Sequence, residues 1–169
     1  WEADTKGGPA EIQLLPPTPE GEDVRVQLLA AQMSYPPTKN IILQKRAEQG
    51  GSKSEKLGLQ GHALLKPVEL STYRLDPLDD VLEKKVVLAE GVLWAPVIPD
   101  LPMTVGGKTW RKWLFELAHA TVLNPHRSSG ESFQLLRRMG FWDTLGTDCN
   151  KWFSQCEVCQ RYRSRPVQP

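Results

Sequence analysis

The sequence predicts a mainly α fold: a small three-helix bundle in the C-terminal part, a β-hairpin extension before it, and an irregular N-terminal region. Three observations carry this. Four of the six tryptophans (Trp110, Trp113, Trp142, Trp152) lie after residue 105, so the material for a core is concentrated there. Within that part, apolar residues recur at the three-and-four spacing of helices. The first quarter is instead crowded with prolines: Pro9, Pro16, Pro17, Pro19, Pro36 and Pro37.

Residues 1–72 offer little periodicity. "DVRVQLLAAQMS" can form one short helix, while "EQGGSKSEK" is rich in Gly, Ser and charge and reads as loop. This stretch is expected to be a largely irregular linker, or the remnant of a domain upstream of Trp1 in a longer chain. Residues 73–105 contain the hairpin. In "KKVVLAEGVLWAP", Val86 to Leu88 and Val92 to Trp94 are strand-like runs separated by Ala89-Glu90-Gly91.

Residues 106–162 hold the bundle. Trp110, Trp113, Leu114, Leu117 and Thr121 fall on one face of a first helix, with Thr109 as N-cap and Asn124-Pro125 as its end. Ser128 followed by Glu131 marks a capping box for a second helix, whose inner side carries Phe133, Leu136 and Met139 before Gly140. A third helix opens at Thr147 or Asp148 and sets Cys149, Trp152, Phe153 and Cys156 on one side. A bundle this short has a thin core and needs a metal, disulfides or self-association to hold it.

The cysteines suggest which. Cys156 and Cys159 form a Cys-x2-Cys pair that suits a redox couple, a disulfide or half of a metal site. Two histidines complete the last of these: His119 and His126 are separated by six residues, and 29 residues separate His126 from Cys156. Zinc takes two imidazoles and two thiolates as a tetrahedron, and four protein ligands make such a site structural rather than catalytic. Binding then contributes folding free energy. The redox reading is set aside because the pair is placed at a helix C-terminus, where the dipole does not favour a thiolate. Cys149 is expected to be a packed core thiol, and His62 incidental. "GGKT" at 106–109 lacks the upstream glycine of a phosphate-binding loop, since position 102 is Pro, and "LDPLDD" at 75–80 reads as turns and caps.

Net charge is +1, but it is divided unevenly. Gly106 to Pro169 has ten Lys/Arg against five Asp/Glu, and the remainder eleven against fifteen. The basic half points to an anionic partner such as nucleic acid. Arg127, Arg137, Arg138 and Lys151 on the bundle, with Arg161, Arg163 and Arg165 towards a basic linker at 163–169, are the candidate phosphate contacts. No run of 18 apolar residues is present to span a membrane. Three cysteines clustered near one end fit a reducing intracellular compartment, nuclear or cytoplasmic.

The stretch from His119 to Arg161, with "HATVLNPH", "LLRRMGFW" and "KWFSQCEVCQRYRSR", resembles the HHCC zinc-binding domain that precedes the catalytic core of retroviral and retrotransposon integrases, most closely those of gypsy-like elements. Phe141-Trp142 and Gln160 match that family's aromatic–Trp pair and its Cys-x2-Cys-Gln ending, and the hairpin resembles its β extension. One departure stands out: Pro125-His126-Arg127-Ser128 replaces the family's Gly-His-x-Gly. The resemblance spans about residues 85–165. It implies one structural zinc on His119, His126, Cys156 and Cys159. It further implies a non-catalytic part of an integrase or integrase-derived polyprotein, with the catalytic acidic residues beyond this stretch. DNA held largely through its backbone, and self-association into a multimer, are the implied partners. The alternative is a domesticated module that serves as a protein–protein adaptor without DNA.

Overall fold

The computed structural model describes residues 23–50, 64–103, 107–120 and 126–163. His62, Thr121, Asn124, Pro125 and Arg165 lie outside the described residues, as does the side chain of Arg163.

The described chain is mainly helical, with one small sheet. In order it forms α1 (Val24–Ser34), α2 (Pro36–Glu48), a single turn α3 (Pro67–Leu70), β1 (Tyr73–Leu75), β2 (Leu82–Leu88) and β3 (Gly91–Pro96). Then come α4 (Trp110–His119), α5 (Ser129–Met139), α6 (Leu145–Ser154) and α7 (Glu157–Arg163). The three strands make an antiparallel sheet in the order β1-β2-β3. Val86 faces Leu93 and Val87 faces Val92 across the expected hairpin. β1 pairs Tyr73 to Leu75 with Lys84 to Leu82, a third strand beyond the expected two.

The short helix expected over residues 23–34 forms as α1, but the rest of the expectation of an irregular N-terminal region fails over residues 36–48, which form a second helix packed against it. Asp23 caps α1, its side chain accepting from the Arg25 N–H. Pro36 and Pro37 do not interrupt the helices but occupy the first two positions of α2. A missing N–H costs nothing there and the fixed φ suits the helix. Apolar periodicity is a poor guide because these helices bury polar side chains as well. Gln32 and Thr38 are enclosed beside Leu28 and Ile42.

Gln32 is the principal tie between this helical pair and the sheet. Its Oε1 accepts from the Leu82 N–H at 2.9 Å, and its Nε2 donates to Leu82 O at 2.9 Å and Val97 O at 2.7 Å. The amide thereby stands in for a stretch of β-ladder. The Arg25 guanidinium meets Asp76, Asp79 and the fully enclosed Glu83, which Arg74 also pairs at 2.7 Å. Asp76 and Asp79 also accept from the N–H groups of Leu78 and Val81, so "LDPLDD" is a turn whose carboxylates additionally anchor α1.

The larger of two core clusters joins α1 to the bundle, and a second, of Ile42, Leu75, Leu82 and Val97, joins α2 to the sheet. Val24 and Leu28 of α1 pack with Val81, Ile98, Trp110, Leu114, Leu136, Trp142 and Cys149. Gly140 is required by contact here. Its φ is −171°, ordinary extended backbone, but a Cβ would lie 2.6 Å from Ile98 Cγ1. Phe141 couples bundle to hairpin: its N–H donates to Pro96 O and its carbonyl accepts from Ile98 N, both at 2.9 Å. Helices α4, α5 and α6 form where the periodicity places them. Ser128 and Glu131 make the expected capping box. α4 stops at His119, and α6 begins at Leu145, slightly ahead of Thr147.

Candidate metal centre

Three segments deliver the four candidate ligands. α4 carries His119 on its last turn. The chain returns so that the Arg127 N–H donates to His119 O at 2.8 Å, and the Arg127 guanidinium donates to Ala118 O at 3.0 Å. This pair of hydrogen bonds to the end of α4 fixes His126 beside His119, with ring centroids 4.9 Å apart and planes at 81°. α6 ends at Ser154, the Cys156 N–H donates to Phe153 O at 3.1 Å, and α7 begins at Glu157.

That break corrects the expectation of a single third helix running through Cys156. The residue immediately precedes α7, with Gln160 N donating to its carbonyl at 3.0 Å, and Cys159 sits within the first turn. The pair therefore stands at the start of a helix, where the dipole does not disfavour a thiolate. Gln160, part of the family-like ending, pins the α6–α7 junction, because its side chain donates to Phe153 O at 3.3 Å. Trp142 does the same for the start of α6, donating to Asp148 Oδ2 at 2.8 Å.

The donor atoms converge. His119 Nε2 lies 3.1 Å from His126 Nδ1, His126 Nδ1 lies 3.2 Å from Cys156 Sγ, and His119 Nε2 lies 3.4 Å from Cys159 Sγ. All four fall within 4.8 Å of one another. A zinc tetrahedron with bonds of about 2.0 and 2.3 Å has donor–donor edges of about 3.3 to 3.8 Å. The cluster fits a single ion of that size, and the donor set of two imidazoles and two thiols is one that zinc favours. Among the described residues no other cluster of this kind is found, and Cys149, fully enclosed in the core, takes no part.

The histidines are oriented by their surroundings. His119 is buried; Phe115 stacks on its ring at 5.1 Å and 13°, and Phe153 meets it edge-on at 5.5 Å. Its Nδ1 faces Ser132 Oγ at 3.1 Å, which directs Nε2 into the cluster. A ligating imidazole with its second nitrogen held in this way has a fixed tautomer and ring plane. Burial, and after it the adjacent His126, pushes the His119 pKa below its ordinary value of 6.5, which favours the neutral ligating form. The sequence reading does not single out Ser132. Its one signal is a small polar residue four before Leu136, on the inner side of α5.

The candidate phosphate contacts are placed differently. Arg127 serves the α4 terminus. Arg137 donates to Val87 O at 2.9 Å and covers the Phe133 ring. Arg138 pairs with Glu90 at the hairpin turn. Lys151 is exposed on α6, and Arg161 is exposed with Glu157 at 3.5 Å.

Residues 107–165 match the family model of the integrase zinc binding domain. The matched segment is about a third of the chain and contains all four converging donors. No curated protein and no solved structure matches. The family match and the geometry together support one structural zinc ion in the matched segment. Among the described residues no helix is long and apolar enough to cross a membrane.

Proposed function

We propose that the chain is a non-catalytic, zinc-clamped module of an integrase that holds DNA through its backbone and takes part in multimer assembly. The observation that carries this is the convergence of His119, His126, Cys156 and Cys159 inside the segment that matches the family. Zinc bound there ties the end of α4, the loop before α5 and the start of α7 into one body. With four protein ligands the ion has a structural role.

For DNA, the two basic groups with the fewest structural duties are Lys151 and Arg161. They lie on the consecutive helices α6 and α7, and the sequence continues into Arg163 and Arg165. Arg127, Arg137 and Arg138 are already engaged in holding the fold. Cations of this kind contact phosphates without reading bases, which suits an activity that accepts many target sites. Four such cations predict that log K for duplex DNA falls with log salt at a slope of about −3 to −4. Replacing Lys151, Arg161, Arg163 and Arg165 together by Gln should flatten that dependence and abolish most binding. Duplex binding that is insensitive to salt, or unchanged in the quadruple variant, refutes this reading.

A second reading, a protein–protein adaptor without DNA, draws support from Val87 and Val92. These form an exposed cross-strand apolar pair on the hairpin. Absence of duplex binding together with concentration-dependent association by ultracentrifugation would select it.

A further inference from the structure

We propose that Cys156 and Cys159 are a site of reversible oxidation by peroxides, at which disulfide formation ejects the zinc and loosens the bundle. The inference rests on the zinc reading above and goes beyond it.

The four donors differ in access. His119 is buried against Phe115 and Phe153, whereas His126 is exposed and Cys156 partly exposed. An open cavity of about 330 Å³ reaches both histidines and, of the two sulfurs, Cys156, with Lys112, Trp152 and Gln155 along its wall. Cys159 does not line it and packs against the core. Cys156 is therefore the sulfur that an incoming small oxidant meets, and Cys159 follows three positions on as a resolving thiol. The third thiol, Cys149, is sealed in the core with its pKa pushed up by burial, so it competes poorly for oxidant.

The Cys156 thiolate attacks one peroxide oxygen, the O–O bond breaks, and hydroxide leaves, giving a sulfenic acid. The Cys159 thiolate then attacks that sulfur, a second hydroxide leaves, and the disulfide forms. Two electrons pass from the two sulfurs to one peroxide molecule. Zinc loses both anionic ligands, and two neutral imidazoles remain as a weak site.

The test treats the full zinc-loaded chain with hydrogen peroxide at neutral pH. Zinc release is followed with a chromogenic chelator and the cross-link by peptide mass. The expected result is one zinc freed per chain, a Cys156–Cys159 disulfide marked by a mass loss of about 2 Da, loss of helical signal, and recovery on adding dithiothreitol and zinc. Cys149→Ala should behave in the same way. A chain that carries one zinc and keeps it under peroxide, or that forms its cross-link through Cys149, overturns this inference alone. A chain that binds no zinc overturns the zinc reading and this inference together.

Discussion

Replacing Gln32 by Met tests whether the N-terminal helices belong to the same folded body as the zinc module. Methionine keeps the length and apolar volume of the side chain but cannot hydrogen bond as an amide. Three bonds disappear. Leu82 O keeps a partner, because it also accepts from Val97 N at 2.9 Å. The Leu82 N–H and Val97 C=O, enclosed beneath α1, lose the partners that Gln32 supplied at 2.9 and 2.7 Å. Leaving a buried polar group unpaired costs about 1–3 kcal/mol, so two together cost about 2–6 kcal/mol. That is a large part of the roughly 5–15 kcal/mol by which a domain is stable. Urea unfolding of the zinc-loaded chain, followed by far-ultraviolet circular dichroism, should show the midpoint falling at unchanged slope. A change below about 1 kcal/mol would mean that Leu82 and Val97 close the ladder between themselves, and the reasoning about α1 would be refuted.

Other expectations follow from single contacts. Ser132→Ala removes the group that faces His119 Nδ1 and should lower zinc affinity about 10- to 100-fold in chelator competition, with stoichiometry unchanged. Gly140→Ala drives a Cβ into Ile98 and should cost about 1–3 kcal/mol in urea unfolding. His119 has its pKa depressed in the folded state. Its contribution is therefore fully present above the unfolded value near 6.5 and is lost as pH falls through the folded value. The metal-free chain should accordingly unfold at lower urea at pH 5 than at pH 7, and His119→Asn should flatten that difference.

The bundle was legible because its signals are local. Thr109, the Ser128–Glu131 box and the spacing of Trp110, Leu114, Leu136 and Phe153 each report a short segment by itself. The metal cluster was legible because zinc restricts residue type so strongly that two histidines and a Cys-x2-Cys pair narrow the choice. The segment of α1 was legible as a short helix, but α2 and the packing of both helices were hidden because Gln32, Arg25 and Thr38 face inward, so burial there does not follow apolarity. Their partners, Leu82 and Asp79, stand more than 40 positions away. The end of α6 was hidden too. Cys156 continues a helical apolar spacing from Cys149, yet the chain turns at Gln155, and only the place of the sulfur relative to His126 reveals why. The engagement of Arg137 and Arg138 with the hairpin depends on long-range packing that charge counting cannot see.

X-ray absorption at the zinc edge, on the full chain with its metal content measured, tests the central claim most directly. The account predicts one zinc per chain with two nitrogen ligands near 2.0 Å and two sulfur ligands near 2.3 Å. No bound zinc, or a shell with more or fewer than two sulfurs, would contradict it.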